Sequence, residues 1–406
     1  MKITSVECFC GPFITVRINT DEGVYGWGEA GLAYGNSWDA AWGQCQDFAK
    51  LIIGMDPFDT EAIWEHLHRH TFWGMGGGVV ITSAMAAIDI ACWDIKGKVL
   101  GVPVYKLIGG KTNSSLRAYA SQLQFGWRSK IEEIDNLTVL QEPQEYYNVV
   151  KDAMKDGYDA VKIDPVFVPY ERVTDPVALF STQGTHHRGC FRQHDLKLAV
   201  DRIAAAREAG GPDLDIIVEI HSLLDANTAS ELGRALEPYR IMYYEEPTMP
   251  TNPSNFRHIK QKCDLPLATG ERSYTRWGFR QFFEDRTLSI IQPDLANTGG
   301  ITETKKICDM AQVYDMGVQI HVCGGPIATA AALHVEAAIP NFVIHEEHNA
   351  NLRSQFVKGG VHYYAPVNGA YTVPEIPGIG QEMSEEYIAR SKKAVIGVDT
   401  PKYSFV

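Results

Sequence analysis

Three glutamates in the middle of the chain recur at a constant interval, and each ends a short apolar run. Glu219 closes the run Asp-Ile-Ile-Val-Glu, and Glu245 and Glu271 follow at successive steps of 26 residues. That interval fits one parallel strand, one helix and two short loops. Because parallel strands end at the same edge of a sheet, the spacing predicts that the three carboxylates converge.

Converging carboxylates need a positive partner. Two unit charges about 4 Å apart interact by about 4 kcal/mol at an effective dielectric constant near 20, so three such acids repel each other strongly. A single acid would more simply cap a helix or pair with a surface base, but three at matching strand ends favour a metal. An all-oxygen ligand set predicts one Mg²⁺ per subunit, with Mn²⁺ possible.

Two histidines accompany the acids. His221 follows Glu219 by two residues, and residues i and i+2 of a strand face the same side. Asp294 and His321 end consecutive predicted strands, which would lie about 4.8 Å apart, so the carboxylate could bind the imidazole and raise its basicity. We predict acid–base roles for both histidines; a structural histidine and a helix-capping Asp294 are the simpler alternatives.

The substrate contacts are predicted around the same edge. Lys162, in the run Ala-Val-Lys-Ile-Asp, could contact a substrate carboxylate or pair with one of the acids, and both possibilities stay open. A connection of about 30 residues, 165–194, follows; its histidines and cysteine match no standard zinc spacing, which favours a loop that covers the substrate. The residues predicted to bind substrate are Lys162, Asp164, Tyr170, Arg272 and Glu346.

The elements that would position these residues form a (β/α)8-type barrel with its site at the carboxyl ends of the strands. The predicted strands lie at 116–121, 160–164, 215–219, 241–245, 267–271, 288–294, 317–321 and 343–347, with a helix at 225–239 after the third.

An α+β domain precedes the barrel. It would hold an antiparallel meander over residues 1–30 and helices over 37–53, 60–70 and 80–99. We divide the chain into a capping domain (1–113), a barrel (114–355) and a C-terminal segment (356–406) that returns to the capping domain, with a short helix at 384–391.

The composition excludes several classes of partner. A net charge of −13 leaves no basic surface for nucleic acid or an anionic membrane. The start of the chain lacks an apolar run long enough for a signal peptide, and no stretch approaches a membrane span. The eight cysteines are scattered and form no Cys-x-x-Cys pair, which is typical of a reducing cytoplasm. We therefore expect a cytoplasmic homo-oligomer that acts on a small molecule.

The strand-end motifs resemble those of the enolase superfamily. Val-Glu-Ile-His, Tyr-Tyr-Glu-Glu-Pro, Ala-Thr-Gly-Glu-Arg and Ile-Ile-Gln-Pro-Asp are similar to motifs of its mandelate racemase subgroup. Within the subgroup they are most similar to sugar-acid dehydratases of the D-galactonate dehydratase type. The resemblance covers nearly the whole chain and implies a modified barrel covered by a domain built from both termini.

The resemblance also implies roles for individual residues. It makes Glu219, Glu245 and Glu271 the Mg²⁺ ligands, and it makes His321, paired with Asp294, the base. His221 would be the acid, and Glu346 would contact the substrate carboxylate or the developing oxyanion. The implied reaction is Mg²⁺-dependent dehydration of an aldonate or aldarate to a 2-keto-3-deoxy acid, through α-proton abstraction and an enediolate.

Two departures from the family pattern leave alternatives. Glu219 stands where the family usually has Asp, and the connection 165–194 is longer than in galactonate-type members. A racemase, epimerase or cycloisomerase of the same superfamily and a non-catalytic ligand-binding member are the other readings. Asp164 stands at the family position of the second lysine of Lys-x-Lys, a second base needed for racemisation, and this favours dehydration.

Overall fold

The computed structural model describes residues 1–32, 37–127, 139–168, 191–348 and 354–401. Its strands are β1 (Ile3–Cys10), β2 (Ile14–Thr20), β3 (Tyr25–Ala30), β4 (Ser115–Ser121), β5 (Ala160–Ile163), β6 (Asp215–Glu219), β7 (Tyr243–Glu245), β8 (Leu267–Thr269), β9 (Ile290–Ile291), β10 (Gly317–Val318), β11 (His345–His348), β12 (Ala370–Thr372) and β13 (Lys392–Gly397). Its helices are α1 (Trp38–Ile52), α2 (Thr60–Arg69), α3 (Val79–Leu100), α4 (Pro143–Lys155), α5 (Gln193–Gly210), α6 (Ala226–Leu236), α7 (Pro253–Lys260), α8 (Thr275–Asp285), α9 (Gly300–Val313), α10 (Pro326–Ala338), α11 (Ser354–Gly359) and α12 (Glu385–Arg390).

The N-terminal domain is an antiparallel sheet in the order β13-β1-β2-β3, packed against α1 and α3. Gly28 of β3 makes the close packing possible, since a Cβ there would overlap the carbonyl of Ala87 in α3. The C-terminal strand β13 pairs with β1, as expected for a tail that returns to this domain. The predicted domain limits at 113 and 355 stay predictions.

The barrel is a ring of eight parallel strands in the described part of the chain, in the order β10-β9-β8-β7-β6-β5-β4-β11. A bridge between Val318 and Phe342 closes the ring. Its interior is filled by a cluster of buried side chains beneath the carboxyl ends of the strands: Tyr119, Ala160, Ile217, Tyr243, Ala268, Ile290 and Ile344. The fold class and the eight predicted strands are confirmed.

The predicted helices are also found, with ends that shift by at most one residue except at the end of the helix predicted at 225–239, which is three residues shorter. The helix predicted at 225–239 is α6, followed by a 3-10 turn at Glu237–Tyr239, and Asp225 caps it by accepting from Asn227 N and Thr228 N. The predicted loop 165–194 falls largely on residues 169–190, which lie outside the described residues. None of the described helices is long and apolar enough to cross a membrane.

Candidate active site

Three glutamates meet at the carboxyl ends of β6, β7 and β8. Glu219 and Glu245 are the last residues of adjacent strands and lie opposite each other in register. Glu271 follows β8 by two residues, and the three carboxylates offer oxygens that lie within 4.8 Å of one another. The predicted convergence of the acid trio (Glu219, Glu245 and Glu271) is present in the structure.

Lys162 of β5 lies inside this group of acids. Its ammonium is 3.2 Å from Glu219 Oε2, 2.9 Å from Glu245 Oε1 and 2.8 Å from Glu346 Oε1, and the side chain is fully buried. In this structure the lysine therefore pairs with acids, and the predicted contact with a substrate carboxylate stays a prediction.

The acid trio fits a hard divalent cation. Burial, together with the neighbouring charge of Glu219, raises the pKa of Glu245 well above its usual value, and burial also raises the pKa of Glu271. Within the described residues, Glu245 Oε2 has no hydrogen-bond partner although it is buried. Buried, convergent and incompletely neutralised oxygens are what Mg²⁺ or Mn²⁺ would satisfy.

His321 and Asp294 form a hydrogen-bonded pair beside the trio. His321 Nδ1 donates to Asp294 Oδ2 over 2.8 Å, while Nε2 lies 3.2 Å from Glu271 Oε2. Burial alone would lower the pKa of His321, but Glu271 and the bond to Asp294 raise it to about 9. Asp294 Oδ1 also accepts from Ala296 N, so Asp294 shapes the turn before α9 as well as holding the imidazole.

His221 has an aspartate of its own. Its Nδ1 donates to Asp164 Oδ2 over 2.5 Å, and the other Asp164 oxygen accepts from Val166 N and Phe167 N. β6 ends at Glu219, and His221 has a left-handed backbone with φ of 47°, so the i, i+2 strand rule does not place it. A bond from His221 N to Glu219 Oε1 over 3.0 Å keeps the histidine beside the trio instead.

Further acids and one arginine surround this centre. Glu346 accepts from Ser121 Oγ over 2.8 Å and from Val322 N over 3.2 Å. Arg272 forms ion pairs with Glu271 and with the buried Glu246. The predicted contacts of Asp164, Arg272 and Glu346 with substrate stay predictions, and Tyr170 lies outside the described residues.

Sequence reasoning missed several residues of the site. Gln122 lies with its amide nitrogen 3.4 Å from His221 Nε2, and Gln124 donates to the Gln122 side-chain oxygen over 2.5 Å. Ser121 and Gln122 lie at the end of β4, so the strand-end rule that found the glutamates could have found them. Glu246 was adjacent to a predicted ligand, but only the fold shows its partner Arg272.

Comparison with known proteins gives this geometry a context. The family model of the mandelate racemase / muconate lactonizing enzyme N-terminal domain matches residues 1–109, and that of the enolase C-terminal domain-like family matches residues 145–387. D-galactonate dehydratases from Pectobacterium atrosepticum and Ralstonia nicotianae are each 33% identical to this chain, over 97% of its length and 95% of theirs.

Solved structures agree over nearly the full length. An enolase superfamily member from Salmonella Typhimurium is 48% identical, with a TM-score of 0.91 over 97% of this chain and 99% of that one. A candidate dehydratase from Zymomonas mobilis ZM4 is 46% identical, with a TM-score of 0.92 over 98% of this chain and 100% of that one.

Proposed function

Because the chain belongs to the mandelate racemase subgroup of the enolase superfamily, we propose that it dehydrates an aldonate or aldarate to a 2-keto-3-deoxy acid in a Mg²⁺-dependent reaction. The chain is a hydro-lyase. The observation that carries the proposal is a pair of histidines, His321 and His221, each held by its own aspartate beside one acid trio.

The metal would be held by Glu219, Glu245 and Glu271. Members of the superfamily bind Mg²⁺, and the trio is an acidic group of the right composition. When bound, Mg²⁺ supplies positive charge that stabilises the negative charge developing on a substrate carboxylate. The raised pKa of Glu245 and its unpaired oxygen support this assignment.

His321 is the proposed base. Asp294 accepts the Nδ1 proton, so in the neutral imidazole Nε2 is the nitrogen that takes the substrate α-proton. The same hydrogen bond stabilises the imidazolium that forms, because the negative charge of Asp294 lies next to the newly charged ring. The electrons of the C–H bond pass to the carboxylate and give an enediolate.

His221 is the proposed acid. With Nδ1 bonded to Asp164, its Nε2 can deliver a proton to the β-hydroxyl. The C–O bond then breaks, water leaves with that proton, and the resulting enol becomes the ketone.

Racemisation is the competing reaction. It requires bases on both faces of the α-carbon. Asp164 is poorly suited to be a second base, because its carboxylate already binds His221 Nδ1, Val166 N and Phe167 N. This network favours a dehydrating arrangement in which Asp164 holds the acid.

A substrate panel tests the proposal. The enzyme is incubated with aldonates and aldarates of varied C2 to C5 stereochemistry in Mg²⁺, and 2-keto-3-deoxy products and C2 epimers are both assayed. A keto product from at least one acid sugar is expected. C2 epimers without keto product would establish the racemase reading, and retained Mg²⁺ binding without any product would identify a non-catalytic member.

A further inference from the structure

Two barrel helices begin without a side-chain cap of their own. The residue before α9 is Gly299 and the residue before α10 is Gly325, so neither can accept hydrogen bonds from the first turn through a side chain. The first N–H groups of a helix need partners, and a buried helix cannot obtain them from bulk water. α10 is buried along its whole length.

Glu29 supplies the hydrogen-bond acceptors for N–H groups at the start of α10. It lies in β3 of the N-terminal domain, and its fully buried carboxylate accepts from Gly325 N and, over 3.1 Å, from Ala328 N. Gly325 and its neighbour Gly324 make room for this approach, because a Cβ at either would lie 2.9 Å from Glu29 Oε1.

Asp89 supplies a hydrogen-bond acceptor for the first turn of α9. It lies in α3, is buried, and accepts from Thr302 N over 2.9 Å and from Thr302 Oγ1 over 2.5 Å. Gly300 is again required, because a Cβ there would overlap the Asp89 carboxylate. Trp64, also from the N-terminal domain, donates to Gly299 O over 3.0 Å.

These two helices follow β9 and β10, and Asp294 and His321 lie in the turns between each strand and its helix. The turn after Asp294 is tied to the N-terminal domain a second time, since Gly31 N donates to Ala296 O over 3.0 Å and Asn297 Nδ2 donates to Gly31 O over 3.2 Å. By contrast, α6, which follows β6 and His221, is capped within the barrel by Asp225. The turns that contain Asp294 and His321 are therefore held by residues outside the barrel, whereas the elements around His221 are held within it.

We propose that Glu29 and Asp89 are positioning residues that set the geometry of the Asp294–His321 pair across the domain interface. The inference rests on the proposed function of His321 as the base. Each carboxylate fixes the start of a helix only a few residues from the reacting group, and a displacement of about 1 Å can lower a rate by roughly 100-fold.

The test uses Glu29→Gln and Asp89→Asn in the full chain, with Asp94→Asn as the matched control. Asp94 is a buried carboxylate in α3, the helix that also contains Asp89. Its partners are Trp27 N, Ile379 N and Lys98, and none of them lies in the turns that contain Asp294 and His321. Exchange of the substrate α-hydrogen with solvent deuterium, KM, and Mg²⁺ binding by calorimetry are measured for each folded variant.

Both test variants should lower the exchange rate by on the order of 10- to 100-fold, with KM and the Kd for Mg²⁺ within about twofold of wild type. The metal should be spared because the acid trio follows β6, β7 and β8. Asp94→Asn should exchange at nearly the wild-type rate. If Asp89→Asn does not fold, Thr302→Val removes one donor to Asp89 and should lower exchange in the same direction.

Unchanged exchange in the test variants would overturn the inference. So would an equal loss of exchange and Mg²⁺ affinity, or an equal loss in Asp94→Asn, because a purely structural role predicts both. A wild-type enzyme that forms no keto product from any acid sugar would overturn the proposed function and the inference with it.

Discussion

The two sides of the candidate site are held in different ways. On the acid side, Glu219 and His221 are fixed by neighbours within the barrel, since Glu219 accepts from the His221 backbone and Asp164 holds the imidazole. On the base side, the turns that carry Asp294 and His321 lead into helices capped by Glu29 and Asp89 of the N-terminal domain. The acid trio and His221 are therefore held by hydrogen bonds within the barrel, whereas the turns that contain Asp294 and His321 are held by hydrogen bonds from the N-terminal domain.

The largest expected effect is a loss of Mg²⁺-dependent activity without a loss of stability. Glu245→Gln should lower Mg²⁺-dependent activity at least about a thousandfold, because stabilisation of developing charge by a metal is worth several kcal/mol. The thermal unfolding midpoint should not fall, since the packed barrel interior lies beneath the ligand layer. Glu336→Gln, which alters a buried acid bonded to His345 on the other face of β11, is the control. Full activity in EDTA would refute the metal assignment.

The second prediction concerns stability on the base side. Burial raises the pKa of Asp89 to about 7, with Glu61 adding to it and Thr302 and Lys96 opposing it. Because the pKa of Asp89 is higher in the folded protein than in the unfolded chain, its contribution to the free energy of unfolding is fully present below the unfolded-state pKa. That contribution is lost as the pH rises through about 7. Relative to Asp89→Asn, wild type should therefore lose up to about 4 kcal/mol of unfolding free energy between about pH 4 and about pH 8.

Denaturant unfolding of both proteins across this pH range measures the effect. Burial also raises the pKa of Glu29 to about 7, against hydrogen bonds from Gly325 and Ala328 and with Asp294 adding to the shift, so Glu29→Gln should show the same trend. A free-energy difference between wild type and Asp89→Asn that does not change with pH would show that the Asp89 carboxyl is not perturbed by the interface.

The smallest expected effect concerns the acid side. Asp164→Asn keeps an oxygen that can accept from Val166 N and Phe167 N but no longer accepts the His221 Nδ1 proton. Dehydration should fall on the order of 10- to 100-fold, as for other groups that orient a reactive ligand or base. Exchange of the substrate α-hydrogen should persist, because His321 is untouched. Equal loss of both rates would mean that Asp164 does not act through His221 alone.

The sequence predicts the metal side better than the base side. The equal spacing of Glu219, Glu245 and Glu271 follows from the repeating strand–helix unit, so periodicity alone brings them together. Glu29 and Asp89, by contrast, read as the end of a strand and one residue of an apolar helix. Their partners lie more than 200 residues away in the chain, and only the packing of two domains brings them into contact.

Local backbone geometry is the second feature of the site that the sequence does not predict. The strand rule placed His221 on the face of Glu219, but the strand ends before it and a left-handed turn sets its direction. The sequence also left two possibilities for Lys162, because a buried cation next to acids and a cation that awaits a substrate have the same local pattern. Its three short contacts with carboxylates form only when the closed ring of strands brings the ends of β5, β6, β7 and β11 together.

The division of labour between the two histidines is the central claim, and one measurement tests it most directly. Loss of the substrate α-hydrogen to deuterated solvent and formation of the keto product are followed together by NMR in His321→Asn and His221→Asn. His321→Asn should abolish both signals, whereas His221→Asn should abolish the keto product and retain some exchange, because enolisation precedes loss of water. Exchange that survives only in His321→Asn would contradict the account and show that the two roles are reversed.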